Sequence, residues 1–115
     1  MKHKTNTFLV LLNQYFDTYL PISKGLSAKT IESYKATFRI LMEFLYTVKA
    51  IPSDKISFDI LEYQVLTEFL DWIEQERGCS ITTRNQRLSA LAAFADFAQN
   101  RDFGPASLFR VNILK

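Results

Sequence analysis

At 115 residues the chain is one domain's worth, and with 48% hydrophobic and 14% aromatic residues it can bury a modest core. A single cysteine, Cys79, excludes an internal disulfide, and no apolar run approaches the roughly 18 residues of a membrane span, so a cytoplasmic setting is expected. The net charge is only +2, yet residues 59–76 hold six acids and no base, leaving 14 bases against six acids elsewhere. A field polarised in this way can orient a domain on a polyanion, although a solvated helix face would read the same way.

Three Gly, three Pro and no alternating strand-like run point to an all-α domain. The first predicted helix covers 7–20, where Phe8, Leu12, Tyr15, Phe16 and Tyr19 recur at helical spacing. Pro21 is expected to end it, with Gly25 taking a positive φ in the turn that follows. The second helix covers 28–48, capped by Ser27, with an apolar stripe of Ile31, Tyr34, Phe38, Leu41, Leu45 and Val48. Pro52 and Ser53 mark the next loop. The third helix covers 59–77, with a short leading turn at 58–61, a stripe of Leu66, Phe69, Leu70 and Ile73, and Gly78 placed to close it. The fourth starts near Ile81 or Thr82, capped by Ser80 or Thr82, and runs to about Gln99. Short connections make this a compact bundle of four to five helices. Residues 1–105 form the domain. The apolar segment 106–115 is either a short fifth helix or a connection to something absent.

The fourth helix divides into two parts. Its start is nearly all hydrogen-bonding side chains, Thr82, Thr83, Arg84, Asn85, Gln86, Arg87 and Ser89, and its remainder is nearly all apolar. A helix of this kind packs by its body and presents donors and cations at its tip, which suits end-first entry into a groove of DNA. Arg84 falls on the same side as Leu88 and Leu91 and is expected to be partly buried, while Arg87 looks freer. Arg pairs bidentately with phosphate or guanine, and pairing with the acidic third helix is the structural alternative. Asn85 and Ser89 point away from the apolar stripe. Lys29, Thr30 and Lys35 are the corresponding candidates on the second helix. Lys2, Lys4 and Lys24 add sequence-independent attraction.

Two passages then resemble a known family. The second helix reads Ser27-x-x-Thr30-x-x-x-Tyr34-x-x-x-Phe38, followed by Phe44-Leu45. The fourth reads Ser80-x-Thr82-x-Arg84-Asn85-x-Arg87-Leu88-Ser89-Ala90-Leu91-x-x-Phe94. With the intervening LTEFLDWIEQERG helix they resemble the N-terminal core-binding, or SAM-like, domain of tyrosine recombinases and phage-type integrases, over about residues 8–103. The resemblance implies half of a clamp on duplex DNA at a recombination half-site, formed by the helices near 28–48 and 81–99. It implies DNA integration or recombination on mobile elements, and other protomers of the recombinase as partners. It also implies that strand exchange belongs to a following catalytic domain with an Arg, a Lys, a His-x-x-Arg and a nucleophilic Tyr. His3 is the only histidine here, so no such set is present, and the chain reads as a fragment without catalysis of its own.

No metal-ligand cluster, no nucleophile–base pair and no glycine-rich phosphate loop occurs, so no metal, cofactor or small-molecule substrate is expected. The alternative function is a helical protein–protein interaction module without DNA binding, suggested by the apolar tail with Leu108, Phe109, Val111, Ile113 and Leu114.

Overall fold

The computed structural model describes residues 7–101 together with Phe109. Among these residues all regular structure is helical, as the composition implies. Helix α1 (Thr7–Gln14) runs directly into a π-helical segment (Tyr15–Ser23), and α2 (Ala28–Lys49) follows. Two 3₁₀ turns (Ser53–Lys55 and Phe58–Ile60) lead to α3 (Tyr63–Gln75), and α4 (Ile81–Gln99) closes the bundle. Lys2, Lys4 and the segment 106–115 apart from Phe109 lie outside the described residues.

The core is organised by aromatic rings around Phe94 of α4. Phe8 of α1 meets it edge-on at 5.6 Å, Tyr15 of the π segment at 5.3 Å and Phe38 of α2 at 5.3 Å. Phe58 of the second 3₁₀ turn stacks on it at 6.1 Å, and Phe109 reaches it at 6.4 Å. Edge-to-face pairs of this kind add about 0.5–1.5 kcal/mol each beyond area burial. Helix α4 is buried along its second half through Ala90, Leu91, Phe94, Ala95, Phe97 and Ala98, so it is the central helix. Helix α3 packs against both α4 and α2, and meets α2 through Phe44 against Phe69 (5.6 Å) and Trp72 (5.4 Å). Its four expected apolar positions, Leu66, Phe69, Leu70 and Ile73, are all buried. Burial pushes the Tyr15 phenol far above its usual range, so it behaves as an apolar ring.

Pro21 does not end the first helix. A proline has no N–H to give, and its ring would clash with the Asp17 carbonyl in an α turn. The chain instead widens to i→i+5 turns around it, as in the Lys24 N–H to Tyr19 carbonyl bond of 2.8 Å, and the helix continues to Ser23. Val48, expected on the buried stripe of α2, is 50% exposed and lines an open cleft with Glu68, Asp71 and Trp72 of α3.

Three helices end in the same way. The N–H groups of Leu26, Ile51 and Cys79 bond the carbonyls of Leu20, Leu45 and Ile73 at 2.9, 2.9 and 3.2 Å. Each loop turns on a left-handed residue: Gly25 (φ 64°), Ala50 (φ 57°) and Gly78 (φ 63°). Two of these are glycines and the third carries a Cβ. That Cβ costs about 1–2 kcal/mol in the left-handed region, against about 0.4–1 kcal/mol of extra unfolded-state entropy for glycine. Ala50→Gly is therefore expected to raise stability by about 0.5–1 kcal/mol, and Gly78→Ala to lower it by a similar amount, read by urea denaturation. Phe94→Ala is expected to cost about 3–5 kcal/mol, enough to leave a domain of this size largely unfolded by circular dichroism at 37 °C.

Candidate nucleic-acid interface

Helices α2 and α4 begin with the same device. The Ser27 Oγ accepts from the Thr30 N–H (3.2 Å) and donates to the Thr30 Oγ1 (3.1 Å). The Ser80 Oγ accepts from the Thr83 N–H (3.1 Å) and donates to the Thr83 Oγ1 (3.2 Å). Ser80 rather than Thr82 is thus the cap, and Thr30 and Thr83 are engaged at the helix starts. Thr82, one position earlier, is left exposed.

The first halves of α2 and α4 enclose an open groove of ≈ 510 Å³. From α4 it is lined by Thr82, Asn85, Gln86, Arg87, Ser89 and Ala90, and from α2 by Ser33, Tyr34 and Thr37. Among the described residues no carboxylate lines it. Five of the ten candidates, Thr82, Asn85, Gln86, Arg87 and Ser89, therefore share one concave surface, with Asn85, Gln86 and Ser89 exposed.

Arg87 is not the free cation its sequence position suggests. Its Nη1 donates to the Thr37 Oγ1 (3.2 Å) and, at longer range, to the Ser33 carbonyl (3.5 Å). The arginine bridges α4 to α2 at the floor of the groove. Both bonds use one terminal nitrogen of the fork, so among the described residues the remaining N–H donors of the guanidinium have no acceptor. A cation held in this way loses little freedom on meeting a ligand.

The other candidates lie elsewhere. Arg84 is partly buried as expected, and its Nε lies 2.5 Å from Glu74 Oε1 of α3. That contact is an ion pair without the alignment of a hydrogen bond. Lys35 sits with its Nζ 5.9 Å from the Phe16 ring centroid, facing the π segment. Lys29 is exposed on the first turn of α2. Arg39 pairs with Glu32 at 2.5 Å, which holds that carboxyl below its usual range. The acids of α3 are spent partly on internal seams: Glu74 on Arg84, and Glu68 on Lys49 of α2. Arg77, just beyond α3, turns back to Glu43 at 3.0 Å. Among the described residues no group of three or more metal-ligating side chains occurs, and no helix is long and apolar enough to cross a membrane.

Residues 12–102, which contain both capped helices and the groove between them, match the family described as phage integrase, N-terminal SAM-like domain. The chain belongs to this family. Two proteins of Sinorhizobium fredii (strain NBRC 101917 / NGR234) are similar to it. "Putative integrase/recombinase y4rC" is 33% identical over 88 residues, which cover 76% of this chain and 26% of that protein. "Putative integrase/recombinase y4rD" is 31% identical over 84 residues, covering 73% and 30%. The chain thus spans between a quarter and a third of the length of these curated relatives. No solved structure matches it.

In this SAM-like domain, sequence reasoning missed Ser33 and Thr37. The signal for Thr37 was present: a hydroxyl between Tyr34, Phe38 and Leu41 on an apolar stripe is buried and must find a partner. Thr37→Val removes that partner without changing shape. It is expected to cost about 1 kcal/mol, with a coupling of similar size to Arg87→Ala in a double-mutant cycle followed by urea denaturation.

Proposed function

We propose that the domain binds duplex DNA through the α2–α4 groove, as one half of a clamp at a recombination half-site. The observation that carries this reading is the groove itself. It is a concave surface without acids, lined by amide and hydroxyl side chains over an arginine already fixed by Thr37. Amides make bidentate contacts to adenine edges, hydroxyls bond phosphates or bases, and the arginine fork suits guanine or phosphate. Lys29 adds charge at the rim, while Thr30, Thr83 and Arg84 hold the helix starts that present these groups. Lys35 contributes field from beside Phe16.

In this reading the whole protein is a tyrosine recombinase that works on mobile-element DNA in the cytoplasm. Strand exchange falls to a catalytic domain that the segment 106–115 leads toward. Neighbouring protomers meet on paired half-sites, and neither a metal nor a small-molecule substrate is needed by this domain.

The test is fluorescence anisotropy with labelled duplex across a salt series. The wild-type domain is expected to bind with a marked salt dependence. Asn85→Ala combined with Gln86→Ala is expected to weaken binding at least tenfold, with little change in the slope of log K against log salt, since neither residue is charged. Lys29→Ala is expected to lower that slope by about 0.9. Absence of wild-type binding at low salt, with a stable oligomer by light scattering, would instead favour the protein-interaction reading.

A further inference from the structure

A second polar cleft lies along the π segment, where the function proposed above makes no use of it. It has a volume of ≈ 240 Å³ and is lined by Gln14, Thr18, Tyr19, Ser23, Phe97 and Arg101. The Arg101 guanidinium lies 4.0 Å from the Phe97 ring centroid and 5.2 Å from that of Tyr19, and its Nη1 makes only a long bond to the Phe97 carbonyl (3.5 Å). Among the described residues it has no ion-pair partner, and no carboxylate lines the cleft. An arginine oriented by two aromatic faces with its N–H edge uncommitted is built for a planar or tetrahedral oxyanion.

The hydroxyls arrive there because of the backbone. In an α register the face carrying Gln14 and Thr18 would next present residue 21 or 22. The wider turns around Pro21 bring Ser23 to that face instead, and Ile22 is left 74% exposed. Unusual helical turns of this kind cluster at functional positions.

Location supplies the ligand. Gln86, Ala90, Ala93 and Phe97 follow one another at helical spacing, so the cleft and the α2–α4 groove open on the same face of α4. Gln86 and Phe97 are about 16 Å apart along the axis. A B-DNA major groove is about 12 Å wide, so a duplex read at one end of α4 has a flanking backbone within reach of the other. We infer that the Arg101 cleft is a phosphate site that holds a backbone phosphate of the duplex bound in the α2–α4 groove.

This inference rests on duplex binding by that groove, and one series of measurements separates the two. The wild-type domain, Arg101→Ala, Arg101→Lys and the Asn85→Ala/Gln86→Ala variant are titrated with duplex over a salt series, each first checked for its melting temperature. Arg101→Ala is expected to lower the slope of log K against log salt by about 0.9 and to weaken low-salt binding about fivefold for every sequence alike. Arg101→Lys is expected to retain the slope but not the full affinity, since it loses the fork. Neutral methylphosphonates placed singly along the backbone are expected to weaken the wild-type complex at one position where Arg101→Ala is indifferent.

An unchanged slope for Arg101→Ala, alongside weakened binding by the Asn85/Gln86 variant, overturns the cleft and leaves the groove standing. A methylphosphonate profile that Arg101→Ala leaves unchanged at every position also overturns it, because a diffuse field rather than a built site would then be acting. No wild-type binding overturns both.

Discussion

Helices α1 and α2, the π segment, the turn at Phe58 and Phe109 all meet at the ring of Phe94, and this shared contact fixes where α4 sits. In a domain this small, stability is the difference of large opposing terms. Buried rings supply more area per residue than aliphatic side chains, and their edge-to-face preference sets the angles at which the helices approach. Because the second half of α4 is held on several sides, its first half projects with a definite orientation. The polar side chains there inherit the rigidity of a core they do not belong to.

The same arrangement explains the uneven charge. Acids concentrated on α3 face cations of α2 and α4 across the seams, through Glu68–Lys49 and Glu74–Arg84. These pairs are partly exposed, so they add little stability. Their larger effect is on the field. Negative charge is gathered on the side of the bundle bearing Glu68, Asp71 and Glu76, while among the described residues no acid lines the groove between α2 and α4. A polyanion approaching such a molecule is oriented before it touches.

Much of this was legible in the residues. The α3 stripe, the Ser27 cap and the glycines at 25 and 78 all follow from local rules, because each depends on neighbours within one turn or on a simple period. The departures have tertiary causes. Pro21 forbids an α turn but not a wider one, and packing of Tyr15 and Leu20 keeps the helix going. Arg87 looked free because nothing within four residues claims it, yet Thr37, fifty positions away, does. Ala50 takes a left-handed cap that composition assigns to glycine, because Ile51 must turn back toward Leu45. Of the candidate contacts, the groove gathers those on one face of α4, and the partial burial of Arg84 was legible from its place on the side of α4 that carries Leu88 and Leu91.

Phe109 has a consequence for how the molecule is made. Its ring is fully buried against Phe58 and Phe94, although it lies ten residues beyond the last residue of α4. The core therefore draws on rings far apart in sequence, Phe8 and Phe109, which both pack on Phe58. A ribosome adds about 5–20 residues per second. At that pace the ten residues after α4 take about a second, and until Phe109 is added a nascent chain that already holds α1 to α4 lacks the ring that packs on Phe58 and Phe94.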